Sequence, residues 1–302
     1  MNLARFDLVS LQLFVVVARS GSITRGANQC HLAVAAASKR VSDLEKHLGV
    51  SLLYRHANGV KLTETGHVCF QHALDVLEGV ERMSSALSDY GAGVRGQIRI
   101  WANTSAITQF MPADLAAFSR LHPGIRIELN EENSHEVVLA VLEGRAELGV
   151  FADRTPMLGL HVLPYRKDRL VLVVPKGHPL AGAKRIAFEA AVEHDFVSLT
   201  QGTSIAQRLA LQAGQLGKRL RLRIQVRSFD AMCQMVAAGL GIAVLPDAAV
   251  QPLVKSLGLR KIELADAWAA RELMLGARDF GALPKPARSL VDHLEAQRTA
   301  GS

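Results

Sequence analysis

The fold of the N-terminal part is decided by residues 8–50, LVSLQLFVVVARSGSITRGANQCHLAVAAASKRVSDLEKHLGV. Apolar side chains recur every three or four positions over residues 8–19, which predicts a first helix. A Ser-Gly-Ser break follows, and the Ser22 hydroxyl can cap a second helix of two turns. A third helix is predicted over residues 34–48, where Gly49 ends it. The sequence therefore predicts three short helices in succession.

The third predicted helix has an apolar face and a polar face. The apolar face carries Ala37, Val41, Leu44 and Leu48. At about 100° per residue, the opposite face carries Ala35, Lys39, Ser42 and Lys46. Because the apolar face points to the core, the basic face is free to meet a partner.

A basic hairpin is predicted directly after these helices. Two strand-like runs, residues 52–55 and 60–62, flank Asn58-Gly59, which is a strong signal for a tight turn. Three helices followed by such a hairpin are typical of a winged helix-turn-helix that binds DNA. The alternative is a small helical subdomain with a surface hairpin.

Composition and charge restrict the classes of protein to which the chain can belong. The chain has 302 residues, of which 49% are hydrophobic, so a disordered chain is excluded and two domains are expected. Residues 1–65 hold eight basic and four acidic side chains, a net charge of +4 out of +7 for the chain. A polyanionic partner would therefore meet the N-terminal part. The alternative is an ordinary soluble surface.

The sequence also argues against metal sites, disulfides and membrane insertion. Cys30, Cys69 and Cys233 lie far apart, so we expect no metal, no cofactor and no disulfide framework. The N-terminus lacks the layout of a secretion signal. The longest apolar run, residues 231–246, is too short to span a bilayer. We therefore expect a cytoplasmic protein.

A long helix is predicted over residues 64–90, with Thr63 as its cap. Its apolar side chains recur three or four positions apart, at Ala73, Val76, Leu77, Val80, Met83 and Leu87. A helix between two domains cannot bury such a stripe alone, which predicts a partner helix. The alternative is that the stripe packs back on its own domain.

Strands and helices alternate from residue 97 onward. The first predicted unit has strands at residues 98–101, 125–129 and 147–151. Its first helix follows Asn103-Thr104-Ser105 and runs to residue 118, and its second helix covers residues 134–143. The second has strands at residues 169–174, 196–199, 220–226 and 242–245, with helices at residues 204–216 and 228–238. The first unit predicts a parallel sheet. Two α/β lobes predict a ligand-binding cleft between them.

Residues 1–65 resemble a LysR-type transcriptional regulator. The resemblance is carried by Leu11-Gln12-Leu13-Phe14-Val15-Val16-Val17-Ala18, Gly21-Ser22-Ile23-Thr24-Arg25-Gly26-Ala27, Leu32, Ala36-Ala37-Ser38-Lys39-Arg40-Val41, Asp43-Leu44-Glu45, Leu48-Gly49-Val50, Leu53-Tyr54-Arg55 and Leu62-Thr63-Glu64-Thr65-Gly66. The rest of the chain is similar, more loosely, to the effector domain of that family. The fold implied is α/β, with an N-terminal winged helix-turn-helix and a two-lobed effector domain like periplasmic binding proteins.

The resemblance implies three functional parts. They are a DNA-binding domain at residues 1–65, a dimerising linker helix and hinge at residues 66–94, and an effector-binding domain at residues 95–302. Lobe I would comprise residues 95–164 and 268–302, and lobe II residues 165–267. The implied function is a bacterial transcriptional regulator, a homodimer or homotetramer. A small effector, an organic acid or an aromatic compound, would modulate its binding to double-stranded DNA.

The predicted DNA-binding residues lie on the second and third helices and the hairpin. They are Ser22, Thr24, Ala35, Ser38, Lys39, Arg40, Arg55, His56 and Lys61. Ser38 and Lys39 match family positions that touch bases or phosphates. Hydroxyl and backbone N–H groups at Ser22 and Thr24 suit phosphate. For Arg40 and Lys61 a solvated surface is an equal alternative.

The start of the third helix departs from the family pattern. The sequence has Ala33-Val34-Ala35 where the family often has polar residues, and these side chains cannot donate hydrogen bonds to base edges. Contact with a thymine methyl group is still available to Ala35. Base discrimination should therefore rest more on Ser38, Lys39 and DNA shape.

Two hydroxyl-rich loops predict the effector site. Asn103-Thr104-Ser105 follow the first strand of lobe I, and Thr200-Gln201-Gly202-Thr203-Ser204 repeat the arrangement in lobe II. Hydroxyl and backbone N–H groups at these places suit an anion. By resemblance, Phe151, Phe229 and Asp230 would complete the wall. The alternative for each serine and threonine is simple helix capping.

Other functions are less favoured. No GxSxG, HExxH or Walker-type loop occurs, so we do not expect an enzyme. A solute-binding or metabolite-converting protein could use the same cleft, but the N-terminal domain argues against it. A thiol redox sensor is disfavoured because Cys233 is the only cysteine of the effector part. Residues 219–223 alternate arginine with apolar residues, which favours a solvated strand edge over an anion-binding face.

Overall fold

The computed structural model describes residues 7–56, 59–91 and 96–300. Internal contacts divide the chain into two units, residues 1–93 and residues 94–302. Each unit has its own hydrophobic core, and each is described by itself. Of the predicted turn Asn58-Gly59, Asn58 lies outside the described residues.

The N-terminal unit contains four helices and one hairpin among its described residues. They are α1 Leu8–Ser20, α2 Ile23–Gln29, α3 Val34–Leu48, β1 Leu53–His56, β2 Gly59–Leu62 and α4 Glu64–Gly91. The three predicted short helices are confirmed. Ser22 caps α2 by accepting a hydrogen bond from the Arg25 N–H, and Gly49 ends α3 in the left-handed conformation with φ 72°.

Close packing of α2 against α1 depends on Gly26. A Cβ at this position would lie 2.4 Å from a methyl carbon of Val17, so only glycine allows this approach. The core beneath consists of Leu11, Leu13, Phe14, Val17, Val41 and Leu44, all buried. This core fixes the angle at which α3 is presented.

The long helix α4 begins at a threonine cap, as predicted. The Thr63 hydroxyl accepts a hydrogen bond from the Gly66 N–H at 2.8 Å. The residues of the predicted apolar stripe lie in two environments. Ala73 and Leu77 pack on the core of their own domain, as in the alternative, so the prediction that they pack on a partner helix was wrong. Val76 and Met83 are exposed.

The second unit is built on an eight-stranded sheet and a smaller two-stranded sheet. The large sheet consists of β3 Gly96–Ala102, β4 Ile125–Glu131, β5 Leu148–Ala152, β6 His161–Pro175, β7 Arg185–Ile186, β10 Ala243–Pro246, β11 Leu259–Leu264 and β12 Ala270–Ala277. The small sheet pairs β8 Asp195–Leu199 with β9 Arg221–Val226. The strand order of the large sheet is β4-β3-β5-β12-β6-β11-β7, with β10 also paired to β6.

Helices cover these sheets. They are α5 Thr104–Gln109, α6 Met111–Leu121, α7 Ser134–Leu142, α8 Phe188–Ala191, α9 Ser204–Gln215, α10 Phe229–Ala237, α11 Asp247–Ser256 and α12 Lys285–Ala300, with 3-10 turns at Pro179–Gly182 and Ala267–Ala269. No helix among the described residues is both long and apolar enough to cross a membrane.

The predicted parallel unit of the first lobe is confirmed, since β3 pairs in parallel with both β4 and β5. The prediction of a single helix that follows Asn103-Thr104-Ser105 and runs to residue 118 was wrong. The chain instead forms α5 and α6, with Phe110 between them. Pro112 in the first turn of α6 explains the break, because proline cannot continue a helix but fits its start.

The strand predicted at residues 169–174 is only one half of β6. Residues 161–169 pair with β12, whereas residues 170–175 pair with β10 and β11. The two halves lie in separate cores, one containing Tyr165 and Leu273 and the other containing Leu170 and Ala269. Strand β6 therefore passes from one lobe into the other.

Candidate DNA-binding surface and effector cleft

Helix α3 presents its polar face to solvent, as predicted. Ala37, Val41 and Leu44 are buried, while Ala35 and Lys39 are exposed. Lys39 makes no ion pair with any described residue. Its ammonium group is therefore available to an external anion.

Arg40, the next residue, is engaged within its own domain. Its Nη1 atom lies 3.4 Å from both carboxylate oxygens of Asp7 and 3.3 Å from the Ser10 hydroxyl. Burial would raise the pKa of Asp7, but hydrogen bonds from Ser10 and the charge of Arg40 outweigh it and lower that pKa. Arg40 would have to leave these partners before it could bind a phosphate.

Arg55 joins the hairpin to α3. Its Nη2 atom donates to the Ser42 hydroxyl at 2.9 Å and to Glu45 Oε2 at 3.1 Å. Glu45 Oε1 also accepts from the backbone N–H groups of Leu52 and Leu53. These contacts assign Arg55 a role in positioning the hairpin, which the sequence did not indicate.

The remaining predicted DNA contacts are divided between exposed and capping positions. His56 and Lys61 on the hairpin and Thr24 on α2 are exposed, and Ser38 is half-buried. The Ser22 hydroxyl is 3.3 Å from the Arg25 N–H, so it acts as a helix cap. This geometry fits the alternative that Ser22 caps α2. It also leaves Thr24 exposed for contact with a phosphate.

A cleft lies between the two lobes of the second unit. Its lining combines a wall from lobe I with a wall from lobe II: Asn103, Thr104, Ser105, Glu132, Asn133, Ser134, Leu199, Thr203, Ser204, Ile205 and Phe229. The space is about 330 Å³, its open mouth included. We refer to these residues as the effector cleft. Both predicted loops contribute to it.

The wall from lobe I is polar and buried. Asn103, Ser105 and Ser134 are all buried. The Asn103 side chain caps α5 by accepting from the Ala106 N–H at 2.9 Å, and its Nδ2 atom donates to the Ser134 hydroxyl at 3.0 Å. Thr104 differs from its neighbours, because its hydroxyl donates to Glu131 at 2.6 Å.

Behind Ser105 lies a buried ion pair between strands β12 and β6. Arg271 on β12 faces Asp168 on β6, and its Nε atom donates to Asp168 Oδ2 at 2.7 Å. The Arg271 Nη2 atom also bonds Asp168 and donates to the Ser105 hydroxyl at 2.7 Å. The two side chains of the pair are 0% and 1% exposed. The pair sits where β6 passes between the lobes.

The wall from lobe II is mostly apolar. Leu199, Ile205 and Phe229 supply its apolar surface. The Thr203 hydroxyl caps α9 by accepting from the Ala206 N–H, and it donates to the Thr200 carbonyl oxygen at 3.1 Å. Capping therefore already uses this hydroxyl, while Ser204 is half-buried at the cleft.

Some residues predicted for the effector site do not line the cleft. Phe151 was expected in its wall, but it is fully buried in the core of lobe I against α7, because strand alternation turns it to that face of the sheet. Thr200, Gly202 and Asp230 are only sequence neighbours of lining residues. They bring the lining residues into place without facing the space.

Several residues at or behind the cleft were not predicted from the sequence. Glu132, Asn133 and Ser134 sit between β4 and α7, and the Asn-Ser pair before a helix could have been found as a cap signal. The contact between Arg271 and Asp168 could not have been found from the sequence, because the two residues meet only through the pairing of β6 with β12.

A second buried arginine lies close to this network. Arg208 on α9 of lobe II bonds Asp153, which follows β5 of lobe I, and donates to the Trp268 carbonyl oxygen at 2.9 Å. Burial lowers the pKa of Arg208, the charge of Asp153 raises it, and the positive charges of Arg271 and Arg154 lower it further. Two buried arginines, each paired with an aspartate, therefore lie near the joint of the lobes.

Arg221 and Arg223 lie on the exposed strand β9, where they pair with Asp195. This placement favours the solvated strand edge predicted for residues 219–223. Among the described residues, no group of three or more His, Cys, Asp or Glu side chains could hold a metal ion.

We expect the Cys233 thiol to be unreactive in the folded protein. The side chain is fully buried, and burial together with the charge of Asp230 raises its pKa to about 11. At pH 8 the thiol is therefore protonated and shielded. Labelling with iodoacetamide, followed by peptide mass analysis, should modify Cys233 only after unfolding. Native labelling at the rate of the unfolded chain would contradict this.

Comparison with known proteins places these features in a family. Residues 8–67 match the family model described as bacterial regulatory helix-turn-helix protein, lysR family, and residues 91–299 match the LysR substrate binding domain. A probable RuBisCO transcriptional regulator of Trieres chinensis is 29% identical over 267 residues, which cover 86% of this chain and 85% of the relative.

Two solved structures share the fold. Full-length CbnR complexed with target DNA has a TM-score of 0.66 at 19% identity, covering 96% of this chain and 99% of that one. The regulatory domain of Synechocystis PCC6803 CcmR in complex with 2-PG has a TM-score of 0.62 at 22% identity, covering 67% of this chain and 97% of that one.

A winged helix-turn-helix followed by a two-lobed domain with a cleft defines a DNA-binding transcriptional regulator that carries an effector domain. The predicted fold class is thereby confirmed. The chain belongs to the LysR family of transcriptional regulators.

Proposed function

We propose that this regulator binds its operator through the exposed face of α3 and through the hairpin. The observation that carries the proposal is Lys39, an exposed cation on the face of α3 opposite the core. His56 and Lys61 supply further exposed groups on the hairpin. Residues 1–65 would act as the DNA-binding domain, residues 66–94 as linker and residues 95–302 as the effector domain. Such a protein would act in the cytoplasm.

Footprinting on the region upstream of its own gene tests this DNA-binding surface. We expect one or two protected half-sites, together with affinity that falls steeply as salt rises, because each phosphate contact releases counterions. Random-sequence DNA of equal length is the control. Equal affinity for both DNAs, or a flat salt dependence, would contradict sequence-specific binding by this surface.

For the effector, we propose a small organic acid or aromatic compound bound in the effector cleft. Buried hydroxyl groups on one wall and apolar side chains on the other suit a small molecule with a polar end. The first ligand to test is 2-PG, since it occupies the similar CcmR domain.

A thermal-shift titration of the full-length protein with 2-PG tests the cleft. Binding raises the melting temperature, and Ser105→Ala or Ser134→Ala should reduce that rise, because both buried hydroxyl groups line the cleft. If neither substitution changes the stabilisation by 2-PG, the ligand binds outside the effector cleft. Consumption of the ligand would favour the alternative, a metabolite-converting protein.

We also propose that α4 forms a homodimer, alone or within a homotetramer. Val68, Val76 and Met83 are 60%, 43% and 59% exposed and recur at intervals of eight and seven residues along α4. This spacing keeps them on one side of the helix, as in paired helices. Half-buried Val80 lies between them, and the Leu87 side chain lies outside the described ones.

We expect Val76→Glu combined with Met83→Glu to convert the oligomer to smaller species. Carboxylates buried between two helices would weaken association more than about a hundredfold. Sedimentation at micromolar concentration measures the mass. Gln71→Glu adds one carboxylate at an exposed position of α4 and serves as the control for added charge. An unchanged mass for the double variant would contradict pairing through this stripe.

A further inference from the structure

Arg208 belongs to lobe II but pairs with a residue of lobe I. It lies on α9, whose residues Ile205 and Leu209 pack in the core of lobe II. Its partner Asp153 directly follows β5, and the backbone N–H of Asp153 donates to the carbonyl oxygen of Glu272 on β12 at 3.0 Å. Strands β5 and β12 pair with each other in lobe I. The ion pair therefore crosses the boundary between the lobes.

The two ends of this ion pair differ in their access to water. The Arg208 side chain is 4% exposed, and its Nη1 atom donates to the Trp268 carbonyl oxygen at 2.9 Å. The Asp153 side chain is 28% exposed. If the lobes separate, water can solvate the carboxylate, whereas the guanidinium stays buried because Trp268 belongs to the core of lobe II. Separation therefore leaves a buried cation without its counter-charge, which is unfavourable.

Neighbouring arginines make the contribution of Asp153 larger. Burial is the largest cause that lowers the pKa of Arg208, and the positive charges of Arg271 and Arg154 lower it further. Asp168 pairs with Arg271, but Asp153 is the carboxylate that bonds Arg208 directly. Without the charge of Asp153, Arg208 would face two like charges. The Asp153 carboxylate therefore holds together groups that otherwise repel one another.

Helix α9 connects the ion pair to the effector cleft. Thr203, Ser204 and Ile205, at the start of this helix, line the cleft. Arg208 lies about one turn further along the same helix. A displacement of the wall of lobe II therefore moves Arg208 relative to Asp153.

We propose that the ion pair between Arg208 and Asp153 is a latch that holds the two lobes together and limits the opening of the effector cleft. Arg208 is a positioning residue, because it acts on the cleft wall through α9. The latch depends on the boundary between the lobes and not on which molecule the cleft binds. Breaking the pair should expose the cleft wall while both lobes stay folded.

A thiol placed in the cleft wall of the full-length protein tests this latch. Ile205 lines the cleft but is 2% exposed, so the thiol introduced by Ile205→Cys should react only when the lobes open. Cys233 is fully buried in the core of lobe II and reports unfolding of that lobe in the same sample. Labelling with iodoacetamide, followed by peptide mass analysis, measures both rates and separates them from those of Cys30 and Cys69.

We expect Asp153→Asn to speed the labelling of the introduced thiol about tenfold and to leave the rate at Cys233 unchanged. Asparagine keeps the shape of aspartate but removes the charge that Arg208 requires. Arg208→Lys retains a positive donor, so it should speed labelling less than Arg208→Gln does. A role of Arg208 in side-chain packing alone would not predict that difference.

Glu147→Gln is the matched control. Glu147 pairs with Arg99 within lobe I, and the two side chains are 12% and 16% exposed. The substitution therefore breaks an ion pair of low exposure without affecting the boundary between the lobes. Labelling of the introduced thiol should keep the rate that it has without Glu147→Gln. Labelling as fast as in Asp153→Asn would show that general destabilisation opens the cleft, and it would overturn the latch.

A double-mutant cycle tests whether the two residues act through each other. Asp153→Asn combined with Arg208→Gln should speed labelling no more than the stronger of the two single substitutions, because the ion pair is lost only once. Effects that multiply would mean separate structural roles and would overturn the latch. An unchanged labelling rate in Asp153→Asn, or an increase that Cys233 shares, would also overturn it.

Discussion

We expect Asp168→Ala to lower the free energy of unfolding of the effector domain by about 3–5 kcal/mol, because it leaves the guanidinium of Arg271 buried without its counter-charge. The two side chains are almost fully buried, so water cannot replace the missing carboxylate. The site also lies where β6 passes from one lobe to the other, so the damage reaches both cores. Urea unfolding followed by tryptophan fluorescence measures the loss. Trp101 and Trp268, the only tryptophans of the chain, both lie in this domain.

Asp195→Ala provides the matched control. Asp195 also pairs with arginines, Arg221 and Arg223, but its side chain is 39% exposed. Solvent screens such a pair, so its loss should cost less than about 1 kcal/mol. If Asp168→Ala is no more destabilising than Asp195→Ala, the buried pair does not stabilise the domain in the way proposed.

The second large effect concerns DNA. Lys39→Ala should weaken operator binding by about 1–3 kcal/mol, measured by gel shift at fixed salt. Lys39 is exposed on α3 and has no ion-pair partner among the described residues, so all of its charge is available to DNA. Circular dichroism of the variant should show unchanged helix content, since Lys39 is exposed on α3.

Arg40→Ala is the control for Lys39→Ala. The two residues are adjacent and carry the same charge, but the Arg40 guanidinium is held near Asp7 and Ser10. Its removal should weaken binding less than the removal of Lys39. Equal losses would mean that Arg40 exchanges its intramolecular partners for phosphate. An unchanged affinity for Lys39→Ala would remove Lys39 from the interface.

The helices of the N-terminal unit could be predicted from the sequence because their signals are local. The apolar spacing of α3, the Ser22 cap and Gly49 all act within a few residues, and the structure has α3 at the predicted bounds, Val34–Leu48. The stripe of α4 was predicted less well. Periodicity identifies an apolar face, but it does not say that Ala73 and Leu77 meet their own core while Met83 does not.

The effector cleft was predicted in part. The loops at Asn103–Ser105 and Thr203–Ser204 follow strands and begin helices, which is a local pattern. Phe151 was misplaced because the resemblance gave its strand but not the face of the sheet that the side chain occupies. Only the second half of the long strand β6 was predicted. Its first half, HVLPYRKD, carries a proline and charged residues, and this composition is unusual in a strand.

The sequence by itself determined the order of the parts, the basic face of α3 and the two hydroxyl-rich loops, because each depends on residues close together in the chain. Only the tertiary structure decided which side chains meet behind the cleft. Arg271 is 103 residues from Asp168 and 166 residues from Ser105, so their contact arises only from the pairing of β12 with β6.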